Sequence, residues 1–90
     1  MSSVIYPIVV DLPTERTGWG VVVPDLPGCF AGGESLAEAM AAARGAVIRW
    51  VETARAEGLA VPPPSSMAAL QAMPDYLGWV VRTIEVDLPD

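Results

Sequence analysis

The chain has 90 residues, a formal net charge of −6 and a single cysteine, Cys29. This length predicts one domain over residues 1–90, with a core so small that association into a homodimer or tetramer is expected. One cysteine excludes an intramolecular disulfide framework and favours a reducing compartment, here the cytoplasm. Proline, glycine or charge interrupts every apolar stretch before it reaches membrane-spanning length, so no membrane partner is expected.

The distribution of basic residues argues against nucleic-acid binding. They are scattered along the sequence rather than clustered, at Arg16, Arg44, Arg49, Arg55 and Arg82. A phosphate backbone favours a dense cationic face, because binding there releases counterions. The acidic balance therefore predicts no direct binding of DNA or RNA, and it favours a basic protein as the partner.

Three strands are predicted in the first third of the chain. Residues 4–12 carry apolar side chains on both sides of an extended segment, which predicts a central strand. Pro7 has no N–H to donate, so it must lie beside the margin of a shorter neighbouring strand. A second strand over residues 19–23 is predicted to return antiparallel to the first. The turn at 24–28 ends it, and a short third strand is expected at about 29–32.

A long helix follows. Ser35 and Glu38 fit a capping box, in which a hydroxyl and a carboxylate satisfy free amides at the start of a helix. An apolar stripe continues from there, and Gly58 is expected to end the helix in a left-handed conformation. The stripe consists of Leu36, Ala39, Met40, Ala43, Val47, Trp50, Val51 and Ala54.

The last third of the chain completes the predicted sheet. Beyond the prolines at 62–64, Ser65 or Ser66 is predicted to cap a second, shorter helix. The last strand covers residues 79–88. Because a long helix separates it from the early hairpin, a right-handed crossover predicts that it lies parallel beside the first strand. The predicted fold is α+β, with a β-β-β-α-β order, a mixed four-stranded sheet in the order 3-2-1-4, and the long helix on one face.

This arrangement covers the sheet incompletely. One long helix covers one face, whereas strands one, two and four carry apolar side chains on both faces. Exposed apolar area on the order of a few hundred Å² marks an interaction surface, so burial between copies is expected. The candidate interface residues are Trp19, Trp79 and Val81. Tryptophans without a cationic groove are more typical of core or interface anchors than of base stacking.

The segment from Trp19 to Glu38 combines a strand, a Pro-Gly turn, a short strand and a capped helix start, and it resembles the N-terminal domain of the HicB family of bacterial antitoxins. The strands at 4–10 and 79–88 and the prolines at 62–64 extend the resemblance, in the same order, over nearly the whole chain. The resemblance implies a degraded RNase H-like fold and an antitoxin of a type II toxin–antitoxin system. Its implied partner is a small, basic HicA-like toxin that cleaves mRNA.

The resemblance also implies that the protein acts by binding and not as an enzyme, so no catalytic residue, cofactor or metal is expected. Longer family members carry a C-terminal DNA-binding segment, whereas this sequence stops at Asp90. We therefore expect no DNA binding from this chain.

Four carboxylates are candidates for contact with the toxin, where they would take the place of RNA phosphates. Glu15 lies in the first connection, Asp25 in the Pro-Asp-Leu-Pro-Gly loop, and Glu34 and Glu38 at the start of the long helix. Each of them also has a structural interpretation, and for Asp25 it is a place in the shaped turn at 24–28. Glu38 suits a cap, Glu34 suits a site near a helix N-terminus, and Glu15 suits a solvated loop.

Two other functions remain open. RNase H-like folds hold Mg²⁺ between carboxylates, and Asp11 and Asp87 would lie near corresponding ends of adjacent parallel strands, which suggests a degenerate nuclease. No third carboxylate has an obvious place beside them. An orphan oligomeric binding or scaffold module is the other alternative, since such domains host many roles. Cys29 is not a candidate nucleophile, because the chain contains no histidine to activate it.

Overall fold

The described part of the chain, residues 2–76 and 79–88 of a computed structural model, forms four strands, two α-helices and one 3₁₀ turn. In chain order these are β1 (Ser2–Asp11), β2 (Trp19–Val22), β3 (Phe30–Gly33), α1 (Leu36–Ala56), α2 (Met67–Gln71), the 3₁₀ turn (Pro74–Tyr76) and β4 (Val80–Leu88). Every predicted strand and helix is present, with ends within a few residues of the expected positions.

The strands form one sheet in the order β3-β2-β1-β4, so the predicted order and the central position of β1 are confirmed. Pro7 lies opposite Thr83 of β4, whereas β2 pairs with β1 only from Val9 to Asp11. The missing N–H of Pro7 therefore leaves no gap in the ladder with β2. This position matches the expectation that Pro7 lies beside the margin of a shorter strand.

The predicted direction of the last strand is wrong. β4 runs antiparallel to β1, from Val80 opposite Val10 to Leu88 opposite Ser2, so the sheet is antiparallel and not mixed. The prediction assumed that α1 is the only segment that runs along the length of the sheet between β3 and β4. The connection from α1 to β4 makes a second pass back along the sheet, and β4 therefore begins at the end of the sheet where β1 finishes.

Local chemistry determines both ends of α1. Ser35 Oγ accepts a hydrogen bond from the N–H of Glu38 at 3.1 Å, as the capping box predicts. The Glu38 carboxylate accepts from the N–H of Glu34 at 3.1 Å, and not from that of Ser35 as expected. After the last turn, Gly58 adopts a φ of 73°, the left-handed conformation predicted to end the helix.

The larger core lies between α1 and one face of the sheet, here called the α1 face. Val47 and Val51 are fully buried, and three alanines beside them let the helix lie close to the strands. Each fully buried side chain of this size contributes about 1.5–3 kcal/mol to folding. The main sheet residues of this core are Tyr6, Ile8, Val10, Val21, Ile84 and Val86.

The opposite face of the sheet, here called the open face, is covered only in part. Leu70 of α2 packs against Val9 and Val81 and forms a second, small core. Ser66 caps α2, because its Oγ accepts from the N–H of Ala69 at 3.1 Å. Strand alternation places three exposed apolar side chains on this face, which are Ile5 at 53%, Val22 at 37% and Phe30 at 71% exposure.

We expect Gly45→Ala to stabilise the domain by about 0.5–1 kcal/mol, because glycine in a helix interior costs that much relative to alanine. A Cβ at this position would lie 3.5 Å from Arg49 Nη1, an ordinary contact. Urea unfolding of the variant and the wild type measures the difference.

Gly33→Ala is the matched control for this substitution. A Cβ on Gly33 would lie 2.7 Å from the backbone nitrogen of Ala39, so this variant is expected to lose stability. A Gly45→Ala protein that is also less stable than the wild type would contradict the conclusion that a Cβ atom fits at Gly45 without a clash.

Candidate functional site

Three of the four candidate carboxylates lie at one end of the sheet. Glu15 and Glu34 are exposed, the first in the connection after β1 and the second in the bend after β3. The two segments touch, since a Cβ on Gly18 would lie 2.7 Å from the carbonyl oxygen of Gly33. Glu38 lies in the first turn of α1 and caps it. We call the exposed pair, Glu15 and Glu34, the acidic end.

Asp25 has a structural role that the sequence did not reveal. Its carboxylate accepts hydrogen bonds from the N–H of Ser65 at 2.8 Å and from the hydroxyl of Ser65 at 2.6 Å. Nearby, the Tyr6 hydroxyl donates to the carbonyl oxygen of Pro62 at 2.6 Å. These bonds hold the proline-rich segment, residues 61–66, against β1 and the β2–β3 loop. Because this segment leads into α2, they determine where the second pass of the chain lies.

The structure places the three candidate interface residues in different surroundings. Trp19 packs against the core of the α1 face, and Val81 is only 4% exposed beneath Leu70 of its own chain. Val81 therefore offers little surface to a second copy. Trp79 is 44% exposed and keeps a substantial free surface.

A groove of about 410 Å³ lies between the second half of α1 and the start of β3. Trp50 borders it and donates its indole N–H to the carbonyl oxygen of Pro27 at 2.9 Å. This residue is therefore half-buried beside the groove and not in the centre of the core, as its place in the apolar stripe suggested. The other lining residues are Gly28, Cys29, Phe30, Ala46, Arg49, Thr53, Ala54, Glu57 and Leu59.

Sequence reasoning did not single out Phe30, the most exposed large apolar residue described. The signal available was its place in a short strand at the edge of the predicted sheet. Four residues of alternation are too few to show which face a side chain occupies. The exposure of Phe30 therefore becomes evident only once β3 is paired with β2.

The two carboxylates suggested for a nuclease lie far apart. Asp87 is opposite Ser3, eight residues before Asp11 along β1. At roughly 3.3 Å per residue, the two positions are about 26 Å apart along the strand. The premise of adjacent ends of parallel strands is therefore wrong. Within residues 2–76 and 79–88, no cluster of three His, Cys, Asp or Glu side chains is arranged to hold a metal ion.

These features define an acidic α+β domain, with exposed carboxylates at one end of its sheet and exposed apolar side chains on its open face. Neither α1 nor α2, in the part of the chain described, combines the length and hydropathy of a membrane-spanning helix. A family model of HicB-like antitoxins of bacterial toxin–antitoxin systems matches residues 6–90. The chain belongs to this family.

Individual relatives agree with the family. The chain is 32% identical over 84 residues to an uncharacterized 14.9 kDa protein in the rep-hol intergenic region of Haemophilus phage HP1 (strain HP1c1). The match covers 93% of this chain and 62% of that protein, so the chain spans less than two thirds of the relative's length.

Two solved structures share the fold. The N-terminal domain of the Burkholderia pseudomallei antitoxin HicB matches with a TM-score of 0.76 and 35% identity, over 93% of this chain and 99% of that one. A chain of the HicA3 and HicB3 toxin–antitoxin complex matches with a TM-score of 0.77 and 29% identity, over 92% of this chain and 98% of that one. The α+β fold expected from the resemblance is thus confirmed.

Asp25→Ala is expected to lower the free energy of unfolding by about 1–3 kcal/mol, because it removes both acceptors that hold Ser65. Ser65→Ala removes only the hydroxyl bond and should cost about 0.5–1.5 kcal/mol. Urea unfolding followed by tryptophan fluorescence measures both. Glu15→Ala, at an exposed site, should change stability by no more than about 0.5 kcal/mol. Equal stability of Asp25→Ala and Glu15→Ala would contradict the conclusion that the hydrogen bonds between Asp25 and Ser65 stabilise the fold.

The stability of the domain is expected to fall at alkaline pH. Burial raises the pKa of the Cys29 thiol, and the nearby Arg49 offsets part of the effect. Burial, followed by the charges of Asp25 and Cys29, raises the pKa of the Tyr6 hydroxyl. Both groups lose their protons more easily in the unfolded chain, so stability is complete below the ordinary cysteine pKa of about 8.5 and decreases above it.

Urea unfolding at a series of pH values from neutral to about 10, near the ordinary tyrosine pKa, measures this decrease. A Cys29→Ala, Tyr6→Phe double variant removes both ionisable groups and should show a smaller decrease. A wild-type stability that stays constant or increases over this range would contradict the burial of the two groups.

Proposed function

We propose that this chain is the antitoxin of a type II pair and that it neutralises a small, basic, HicA-like toxin that cleaves mRNA by binding it directly. The observation that carries the proposal is the match of residues 6–90 to the HicB-like antitoxins. The similarity to a chain of the HicA3 and HicB3 complex supports it. In this proposal the protein works in the cytoplasm, by binding and not by catalysis, and without contact to DNA.

The charge of the chain favours such a partner. A net charge of −6 attracts a basic protein, and complementary charge increases the rate of association. The same charge disfavours binding of RNA, so the antitoxin would bind the toxin and not the RNA that the toxin cleaves. Charge complementarity therefore provides selectivity for the protein partner.

Within this proposal, the acidic end is the surface that first meets the toxin. Glu15 and Glu34 are exposed side chains on neighbouring segments, so one cationic surface can contact both. Asp25 and Glu38 contribute less, because their carboxylates already accept hydrogen bonds from Ser65 and Glu34 of the same chain. The candidate residues thus divide into two that are available for contact and two that stabilise the fold.

The test uses the product of the adjacent open reading frame, which the proposal expects to be a HicA-like toxin, made as a catalytically inactive protein for calorimetry and as the active protein for growth rescue. The wild-type antitoxin should bind the toxin and restore growth. A Glu15→Arg, Glu34→Arg double variant should bind about tenfold more weakly at low salt, mainly through slower association. The difference should shrink as salt is added, because the charges are exposed.

A Glu52→Arg, Asp75→Arg double variant is the matched control, since it makes the same change in net charge at exposed positions on α1 and the 3₁₀ turn. If both double variants weaken binding equally, the acidic end is not the contact surface, although the antitoxin function stands. If the wild type neither binds the toxin nor restores growth, the proposed function is wrong.

A further inference from the structure

The two edge strands of the sheet, β4 and β3, differ in how well they are protected from pairing with another strand. At the β4 edge, Arg44 reaches across from α1 and its Nε donates to the carbonyl oxygen of Glu85 at 3.3 Å. Arg82 Nη1 donates to the carbonyl oxygen of Val81 at 3.1 Å. Arginines that occupy backbone acceptors and place charge along an edge strand discourage further strand pairing. The longer edge of the sheet is therefore protected.

The β3 edge has no comparable protection within its own sequence. β3 is the last strand in the sheet order, and its residues, Phe30–Gly33, are two glycines, an alanine and a phenylalanine without charge. The Phe30 side chain is 71% exposed. An uncharged edge strand that also exposes an aromatic ring is a template for pairing with another strand.

The register with β2 shows which backbone groups of β3 are available. The N–H of Val23 donates to the carbonyl oxygen of Cys29 at 3.0 Å, so these two residues face each other across the hairpin. Backbone groups in an antiparallel ladder alternate between the two neighbours. The N–H and C=O groups of Ala31 and Gly33 therefore point towards β2, and those of Phe30 and Gly32 point outwards from the sheet.

We propose that this edge binds the same edge of a second copy of the chain, antiparallel, across a two-fold axis that passes through Ala31 perpendicular to the sheet. In this register Phe30 of each copy lies opposite Gly32 of the other. Each such pair exchanges both N–H to C=O hydrogen bonds, because both residues point their backbone groups outwards. The two sheets then continue as one, with both α1 helices on the same side.

Side-chain packing supports the same register. A two-fold axis perpendicular to the sheet keeps the open faces of both copies on one side, so the Phe30 ring lies beside Gly32 of the second copy. Gly32 in turn pairs with Gly20 of β2, which leaves this part of the open face without side chains. An aromatic ring that covers a cross-strand glycine is an established stabilising arrangement in sheets. Each copy supplies one ring and one uncovered glycine pair.

The edge is therefore complementary to itself in backbone and shape, which favours a second copy over a strand of another protein. Because β3 itself carries no charged residue, its pairing brings no like charges directly opposite each other, although each chain has a net charge of −6.

The experiment is sedimentation equilibrium of the full chain over the micromolar range, combined with amide hydrogen exchange followed by NMR. The wild type should be dimeric. Phe30→Glu should weaken the dimer at least about 30-fold, as expected for the loss of a buried aromatic anchor that symmetry uses twice. The control is Ile5→Glu, which places the same charge on an exposed position of the open face in β1, and it should leave the dimer intact.

Hydrogen exchange tests the register without any substitution. The amides of Phe30 and Gly32 should become protected as the wild-type concentration rises, whereas the outward amides of Thr83 and Glu85 on the β4 edge should not. A wild type that stays monomeric overturns the proposal. So does a dimer in which Phe30 and Gly32 exchange freely, a folded Phe30→Glu protein that dimerises like the wild type, or protection of these amides by the toxin alone.

Discussion

A four-stranded sheet has two faces to remove from water, and the described part of the chain has only one long helix with which to cover them. The second pass of the chain resolves this constraint in part, since α2 brings Leu70 onto the open face over Val9 and Val81. The position of this second pass depends on two hydrogen-bonded contacts of the proline-rich segment, Tyr6 with Pro62 and Asp25 with Ser65. The direction of β4 and the location of the remaining exposed surface both follow from it.

Local signals in the sequence were sufficient for most of the elements. Ser35 and Gly58 act through their immediate neighbours, so the start and the end of α1 were predictable. The direction of β4 was not, because it depends on where the proline-rich segment lies relative to the sheet. The contacts that fix this segment join residues 56 and 40 positions apart, and no periodic pattern records them.

The sequence predicted the charge of the candidate site and the class of its partner, but the roles of only some of its residues. Net charge indicated a basic partner, and the order of the motifs indicated the family. A carboxylate in a loop has the same appearance in the sequence whether it faces a partner or holds its own chain. Asp25 and Glu15 differ only because Ser65 arrives beside the former. Likewise, the predicted strand order already placed Phe30 at an edge, but only the pairing of β3 with β2 shows that its side chain lies exposed on the open face.

The antiparallel pairing of β4 with β1 has a practical consequence. It places Ser2 opposite Leu88, so the backbone enters and leaves the sheet at one shared corner. The connection that carries Glu15 joins β1 at its other end, and β3 forms the other margin of the sheet. A fluorophore or affinity tag joined next to Ser2 or Leu88 would thus lie at the corner of the sheet most remote from both surfaces, and a fusion protein can report on each encounter without obstructing it.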